Sequence, residues 1–563
     1  MLNFAFALQP QGLSGPPNGT NISDEVSPER GNQTQSAIGQ WNFYLLLVVF
    51  GLTAVVQIAV AGRSGLWADE IFSLATATGH SLEHPAAAAD SAQGDFVESD
   101  TAVDAEELQH YLKHDDPPAS PARVVRAVLL SDTSPPLYYL LLYAWTLMFG
   151  TSDLGLRSLS IVCSLACLPF LVGVARRTGG PRAVFPACIL FAFSPLAIYY
   201  STEGRMYSLL WLCVLATTWA SLVLQQRGEG IAIYALWIVA SVAGFLTHYF
   251  FVFPWLAIVA YLLIRPGKLA RTHLAACLLL LAVLILPWYA RVPESLASWR
   301  ITKDWLKWQP NGFDRLAASR ELVVQFFSGR SDLWWEHAKL DLVAPILFGV
   351  VAVTMVWRLG IHLFGRQRLL LWLLFMAPCA GPLAFDLVQH TYTVAVPRYA
   401  IAALPGAYLL AAVGLGCLGN RTRLIMLVLI VLAWAPNVLG VYGKRSRNWQ
   451  PIREISHAAN VNGTPSDLIL VHSIPSGVLG ISRYANESAA LASWVGQLGT
   501  RRVPESIHKL AAGRTRIVFV KVHAVGEPAP EEQWLRANAV VFHEARVGSG
   551  RIVDFRPLDS KTF

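Results

Sequence analysis

The sequence predicts a polytopic α-helical membrane protein that ends in a small soluble α/β domain. Its 563 residues are 54% hydrophobic and only 14% charged, whereas a soluble domain carries about 25% charged residues. Long apolar runs recur from residue 41 to residue 442, which we interpret as a transmembrane module. After Tyr442 strand-like and helix-like runs alternate, as in a small α/β domain.

Eleven apolar runs are predicted to cross the bilayer, because a hydrocarbon core of about 30 Å needs about 20 helical residues. The apolar stretch 135–150 would span only about 24 Å as a helix, so we expect it to lie on the membrane surface. The stretch 231–264 is too long for one span and is divided at 247–249. The predicted spans are 41–61, 155–174, 183–200, 206–224, 231–247, 249–264, 273–290, 342–357, 369–385, 399–418 and 424–442.

The charges of the loops predict the orientation of the chain. With the amino terminus in the cytoplasm, the inward-facing connections carry twelve Lys or Arg residues and one acid, Glu229. The first outward connection, 62–134, holds thirteen acids against four Lys or Arg residues. This is the positive-inside pattern. We therefore expect a multi-pass protein of the inner or plasma membrane. Because the net charge of +7 is not gathered in one patch, nucleic acid is not expected as a partner.

The segments between and beyond the spans differ in composition. Residues 1–40 are polar and are predicted to form a disordered cytoplasmic tail. The first outer loop, 62–154, is expected to hold surface helices and a mobile insertion at 80–120. A second outer loop, 291–341, is rich in tryptophan and is expected to form a lid at the lipid interface. Residues 443–563 are predicted to form an extracytoplasmic α/β domain, with strands near 467–472, 515–523, 539–543 and 551–555 and helices near 449–460, 503–512 and 530–537.

The residues that could carry chemistry lie where spans end on the predicted outer side. The sequence WADE at 67–70 follows the first span. Placing two adjacent carboxylates at a membrane surface costs desolvation free energy, so such a pair indicates a functional role. Further along come DTSPPLYY at 132–139 and YSTEGRMY at 200–207. These three groups together indicate an enzyme that acts on an anionic substrate carried by a lipid.

With these motifs and three more, the chain resembles a known family. The additional motifs are LRSLS at 156–160, THYF at 247–250 and PRY at 397–399. In this order they resemble bacterial GT-C glycosyltransferases, above all the family 39 group, which includes protein O-mannosyltransferases and the aminoarabinose transferase of lipid A. The resemblance covers roughly residues 41–442. In one departure, Ser134 stands where relatives often carry a histidine before the double proline.

The resemblance implies a GT-C fold and an activity. Family members transfer a sugar, such as mannose, from a polyprenyl-phosphate donor to an acceptor on the outer face, usually with inversion. The acceptor could be a lipid, a polysaccharide or a protein. The resemblance implies that Asp69 is the general base and that Glu70 orients Asp69 or the acceptor. The residues expected to bind substrate are Asp132, Arg157, Tyr200, Glu203, Arg205, Tyr207, His248 and Arg398.

Each of these assignments has a structural alternative. Asp69 and Glu70 could merely favour the start of a helix, where acids are stabilised, and Glu203 with Arg205 could be an interfacial ion pair. No cofactor is certain; a divalent metal is left open, with Asp132 and His248 as the candidate pair. The alternative functions are a transporter or flippase of lipid-linked sugars and a non-catalytic envelope assembly protein.

The predicted topology can be tested directly. Asp69 and Arg205 are expected on one face of the bilayer, so cysteines engineered beside each should react with an impermeant thiol reagent from the same compartment. Labelling from opposite compartments would contradict a shared site.

Overall fold

The computed structural model describes most of the chain as a bundle of helices joined to one small mixed sheet. Residues up to Val48 form one unit and Val49–Phe563 form a second. The described residues are 28–131, 134–301, 305–309, 314–329, 339–365, 367–442, 450–459, 467–523, 529–558 and 562–563. Residues 1–27 of the predicted tail lie outside them, whereas residues 28–40, also predicted to be disordered, belong to the first helix.

The helices of the described residues are numbered in chain order. They are α1 Pro28–Ala61, α2 Ala68–Ala77, α3 Ala105–Gln109, α4 Pro121–Ser131, α5 Leu137–Phe149, α6 Asp153–Gly179, α7 Pro181–Phe193, α8 Pro195–Ser201, α9 Tyr207–Arg227, α10 Ile231–Phe245, α11 Val252–Ile264, α12 Arg271–Tyr289, α13 Val292–Ala297, α14 Arg315–Ser328, α15 Val343–Leu359, α16 Arg368–Gln389, α17 Pro397–Ala400, α18 Leu404–Gly416, α19 Asn420–Tyr442, α20 Ile452–Ala459, α21 Pro475–Tyr484, α22 Glu505–Ala511 and α23 Pro530–Asn538.

Eight helical stretches of the described residues are long and apolar enough to cross a membrane. A ninth is broken, because α7 and α8 meet at 58°. Two further apolar helices, α10 and α11, are shorter. Each of the eleven predicted spans corresponds to one of these, which confirms a polytopic α-helical membrane protein. The 13-residue α5 matches the short helix predicted at 135–150 and is only about 20 Å long.

Local sequence determines where α5 ends and α6 begins. Gly150 ends α5 with a φ of +77°, a conformation that glycine adopts without steric cost. The Ser152 hydroxyl then accepts a hydrogen bond from the Gly155 amide at 3.0 Å and caps α6. This junction places Asp153 in the first turn of α6 and Arg157 one turn later.

The C-terminal domain contains a six-stranded sheet, which confirms the predicted α/β character. Its strands, in the order β1-β3-β2-β4-β6-β5, pair in parallel from β3 through β2 to β4 and antiparallel elsewhere. The sequence predicted neither β3 nor α21. The strands are β1 Val103–Asp104, β2 Asp467–His472, β3 Ala490–Trp494, β4 Arg516–Lys521, β5 Val540–Val547 and β6 Gly550–Arg556.

The first loop is part of the folded structure. Strand β1 comes from residues 80–120, the predicted mobile insertion, and pairs with β3. The side chains of His80, Phe96 and Tyr111 in the same segment are buried. The C-terminal sheet is therefore completed by a strand from outside the predicted 443–563 boundary.

In the described part of the second loop the chain forms the helices α13 and α14. Trp299 and Trp308 are exposed, whereas Trp334 and Trp335 lie outside the described residues. A lid made by residues 291–341 stays a prediction.

Asp153 attaches the C-terminal domain to the start of α6. Its carboxylate accepts hydrogen bonds from Arg453 at 2.5 Å, from Arg483 at 2.9 Å and from the Tyr484 hydroxyl at 2.7 Å. All four side chains are at least partly buried. One carboxylate thus joins the helical bundle to two helices of the C-terminal domain, α20 and α21.

The Asp153→Asn variant is expected to unfold at lower temperature in detergent. It removes the charge that three partners share, and we expect a loss of about 1–3 kcal/mol of stability. Asp100→Asn is the matched control, because the Asp100 side chain is 84% exposed and pairs with Lys509 at 3.3 Å. An exposed pair contributes at most about 1 kcal/mol. Equal melting temperatures for the two variants would contradict the attachment role of Asp153.

Candidate active site

The acidic pair opens α2, and its two side chains have different environments. The Glu70 side chain is fully buried, whereas that of Asp69 is 25% exposed. Glu70 Oε2 accepts a hydrogen bond from the Trp67 amide at 3.3 Å. Both acids lie in the first turn of the helix, where unpaired backbone N–H groups favour negative charge. Glu70 therefore stabilises the start of α2, which is the structural alternative given above for the acidic pair.

Glu70 forms a buried two-pronged ion pair with Arg157. Arg157 Nε lies 2.7 Å from Glu70 Oε1, and Nη2 lies 2.6 Å from Oε2. Neither side chain is exposed to solvent. Paired donors and acceptors in parallel make this one of the stronger side-chain interactions, and such pairing is needed to compensate for burying two charges.

The remaining N–H groups of Arg157 bind the chain between α1 and α2. Nη1 donates to the carbonyls of Ala61 and Ser64, both at 2.7 Å, and Nη2 donates to the Gly65 carbonyl at 2.9 Å. All five N–H groups of the guanidinium are then used within the protein. Arg157 was predicted to bind substrate; its contacts favour a structural role, since no N–H remains for a phosphate.

Asp69 is paired with Arg398, far along the chain. Arg398 Nη1 donates to Asp69 Oδ2 at 2.7 Å, and the Arg398 side chain is 17% exposed. This pair therefore keeps contact with solvent, unlike the neighbouring Glu70–Arg157 pair.

The buried carboxylate of Asp386 shapes the loop that leads to Arg398. It accepts hydrogen bonds from the Thr391 and Thr393 hydroxyls at 2.5 and 2.7 Å. It also accepts hydrogen bonds from the amide N–H groups of Thr393 and Val394, both at 2.8 Å. These four bonds hold the chain that follows α16 against the last turn of that helix. They thereby fix the start of α17, whose second residue is Arg398.

The turn between α8 and α9 brings Glu203 and Arg205 to α2. Trp67 Nε1 donates to Glu203 Oε1 at 3.0 Å. The amide of Gly204 donates to Glu70 Oε1 at 2.8 Å. A Cβ on Gly204 would lie 2.7 Å from a methyl carbon of Leu156, so any larger residue would have to displace the Leu156 side chain.

Arg205 is held beside α2 by neutral oxygen atoms. Its Nη1 donates to the Ser73 hydroxyl at 2.8 Å and to the Tyr139 hydroxyl at 3.0 Å. Ser73 lies one helical turn after Asp69. The guanidinium of Arg205 therefore lies on the helix that carries Asp69.

Aromatic rings connect Arg205 with Arg398. The rings of Tyr200 and Tyr207 lie 4.9 Å apart, and the ring of His248 lies 6.4 Å from that of Tyr207 and 6.5 Å from that of Tyr399. Tyr207 also interacts electrostatically with Asp69, Glu203, Arg205 and Arg398. His248 Nδ1 accepts a hydrogen bond from the Phe250 amide at 3.1 Å.

The structure thus brings nine of the ten predicted site residues together, and Asp132 lies outside the described residues. Among the described residues, no three His, Cys, Asp or Glu side chains meet in a group that could hold a metal ion. The two carboxylates of α2 are paired with guanidinium groups, so the described side chains do not fit a metal site.

Sequence reasoning did not include several residues that contact this site. Trp67, Ser73 and Tyr139 lie within or beside motifs that the sequence singled out. The Gln450 side chain accepts a hydrogen bond from the Ala68 amide at 3.3 Å, and His523 interacts electrostatically with Asp69 and Arg398. Gln450 and His523 belong to the C-terminal region and carry no motif in the sequence.

Part of the chain matches a family defined by sequence. Residues 133–290 match the family described as dolichyl-phosphate-mannose-protein mannosyltransferase. This range includes Arg157, the cluster 200–207 and His248. No curated protein matches the chain.

Solved structures share the fold over almost the whole chain. ArnT from Cupriavidus metallidurans bound to undecaprenyl phosphate superimposes with a TM-score of 0.57 at 15% identity, covering 92% of this chain and 98% of ArnT. The same enzyme in the apo state gives a TM-score of 0.56 at 14% identity, with the same coverage of both chains. The helical bundle with its small C-terminal sheet is thus the GT-C fold that the sequence predicted. The chain therefore shares its fold with ArnT, and residues 133–290 carry the sequence pattern of the mannosyltransferase family.

Proposed function

We propose that the chain transfers a sugar, such as mannose, from a polyprenyl-phosphate donor to an acceptor hydroxyl, with Asp69 as general base. The acceptor oxygen attacks the anomeric carbon of the sugar while its proton passes to Asp69. The bond from that carbon to the phosphate oxygen breaks, and polyprenyl phosphate leaves with the electron pair. A single displacement of this kind inverts the anomeric centre.

The observation that carries this proposal is the contrast between two adjacent acid–arginine pairs. Glu70 and Arg157 are both fully buried, whereas Asp69 and Arg398 are 25% and 17% exposed. A substrate can reach the second pair only. A carboxylate can take a proton when the acceptor hydroxyl comes within hydrogen-bond distance, and of the two acids Asp69 has that access.

Arg398 and Arg205 are the proposed phosphate ligands. A guanidinium binds phosphate oxygens through parallel N–H groups, and charge develops on the phosphate as the sugar leaves. Without a donor, Asp69 is the anionic partner of Arg398. A bound phosphate offers Arg398 a second anionic partner, which would free the Asp69 carboxylate to hydrogen-bond to the acceptor hydroxyl. ArnT bound to undecaprenyl phosphate supports a polyprenyl phosphate as the lipid carrier that leaves the sugar.

We propose scaffold roles for Arg157 and Glu70. The five hydrogen bonds of Arg157 fix the Ala61–Gly65 connection and Glu70 at once, and Glu70 in turn accepts from Gly204. The pair thereby positions both α2 and the turn that carries Arg205. Tyr200, Tyr207 and His248 would then line the space around the leaving phosphate.

We further propose that the site faces the extracytoplasmic side of the inner or plasma membrane, as the loop charges predict. Carriers usually place ionisable residues inside the spans, at the midplane. Asp69 instead lies in the first turn of α2 and Arg398 in the first turn of α17. This placement favours an enzyme over a transporter.

The Asp69→Asn variant tests the proposed base. Loss of a positioned general base lowers rates about 10²- to 10⁴-fold, so transfer from a radiolabelled polyprenyl-phosphate sugar into membrane products should fall at least about 100-fold. The variant should still fold, because the Asp69–Arg398 pair keeps contact with solvent and the asparagine amide oxygen can accept a hydrogen bond from Arg398. Full transfer activity in this variant would remove Asp69 as base and favour the transporter or assembly alternatives.

Replacing the second acid of the pair by its amide, in Glu70→Gln, should lower the stability of the protein. Glu70→Gln leaves the Arg157 charge buried without its ionic partner, which typically costs about 3–5 kcal/mol. We expect a large fall in the midpoint of thermal unfolding in detergent, with Asp69→Asn as the matched control. If Glu70→Gln melts like the parent protein and has lost transfer activity, Glu70 acts in catalysis and the scaffold assignment is wrong.

A further inference from the structure

The C-terminal sheet has a point at which the connections from two neighbouring parallel strands diverge. From β2 the chain runs through α21 to β3 on one side, and from β4 it runs through α23 to β5 and β6 on the other side. In open α/β sheets, ligands bind outside the carboxyl ends of strands at such a switch point. We therefore expect a ligand-binding residue at the carboxyl ends of β2 and β4.

Hydrogen bonds hold this edge together. The Val522 amide donates to the His472 carbonyl at 3.3 Å, and the Ser473 hydroxyl donates to the Val522 carbonyl at 2.5 Å. The His472 side chain contacts the fully buried carboxylate of Glu531. The backbone that leads to His523, two residues after β4, is thus fixed on the side of β2.

The same domain forms hydrogen bonds with the chain just before the acidic pair and packs against α2 just after it. The Tyr484 hydroxyl accepts a hydrogen bond from the Leu66 amide at 2.7 Å, and Gln450 accepts one from Ala68. Helix α21 packs against α2, and a Cβ on Gly480 would lie 3.5 Å from the Ile71 side chain. The C-terminal domain therefore lies against the helix that carries Asp69.

His523 lies close enough to the Asp69–Arg398 pair for its charge to interact with both residues, and its side chain is half-buried. Its φ is +45°, a left-handed conformation that is uncommon for residues other than glycine. Strained conformations of this kind persist where the surrounding structure demands them, often at functional sites.

The charge state of His523 suits a hydroxyl group better than a phosphate. Burial lowers the pKa of His523 below its ordinary value; Asp69 opposes this shift, and Arg398 adds to it. A lowered pKa leaves the imidazole neutral near pH 7, with one N–H donor and one acceptor nitrogen. Such a ring can orient a hydroxyl, whereas the positive charges for phosphate come from the arginines of the helical bundle.

We propose that His523 forms the acceptor side of the site, where its imidazole hydrogen-bonds to the acceptor and positions the reacting hydroxyl beside Asp69. The inference rests on the proposed glycosyl transfer. The proton still passes to Asp69, and His523 exchanges none. The C-terminal domain then completes the site instead of serving only as an appended module.

The test uses the full-length protein in lipid nanodiscs and two measurements. Radiolabelled undecaprenyl-phosphate mannose is the donor, and titrated membranes from cells that lack this chain are the acceptor. The first measurement is the KM for the acceptor membranes, and the second is release of free mannose to water without them. We expect His523→Ala to raise the acceptor KM about tenfold, as for one lost hydrogen bond, and to leave mannose release within twofold.

Two further variants separate positioning from folding. His523→Asn keeps a donor and an acceptor and should restore part of the acceptor affinity. His543→Ala is the matched control, since His543 is exposed on β5 of the same domain, and it should leave both measurements unchanged. If His523→Ala leaves the acceptor KM unchanged while Asp69→Asn abolishes transfer, this inference fails alone. If Asp69→Asn retains transfer, the proposed function fails.

Discussion

A fully buried guanidinium, that of Arg157, is the constraint on which the rest of the site depends. Its five N–H groups bind the Glu70 carboxylate and the carbonyls of Ala61, Ser64 and Gly65, at and just after the end of α1. A charge in such a place is tolerated only when it is fully paired. The requirement fixes the last residue of α1, the start of α2 and α6 relative to one another. Because Glu70 also accepts the Gly204 amide, the same charge fixes the turn that presents Arg205.

The adjacent acids have different environments for a geometric reason. Successive residues of an α-helix point about 100° apart, so Glu70 faces the interior when Asp69 faces the site. The interior acid then meets Arg157 and the outer acid meets Arg398. One short motif can thereby supply both a structural anchor and a solvent-accessible carboxylate, and burial alone distinguishes the two.

The C-terminal domain is integrated with the bundle at several independent points. Asp153 at the start of α6 binds two of its helices, the first loop adds strand β1 to its sheet, and Tyr484 accepts from the Leu66 amide. Leu66 precedes α2 in the chain, whereas β1 and Asp153 follow it. A domain held in this way can contribute a side chain to the site with a defined position, which is the basis for the role we propose for His523.

The sequence by itself determined the eleven apolar helices, the motifs of the site and the α/β character of the C-terminal domain, because these depend on composition and short-range periodicity. It did not predict β3, the folded structure of residues 80–120 or the proximity of His523 to Asp69 and Arg398. Those features depend on pairing between distant segments: β1 with β3, Asp69 with Arg398, and Arg157 with the end of α1. Only the tertiary structure decides which charge is buried and which meets solvent, because burial belongs to the packed chain and not to any residue alone.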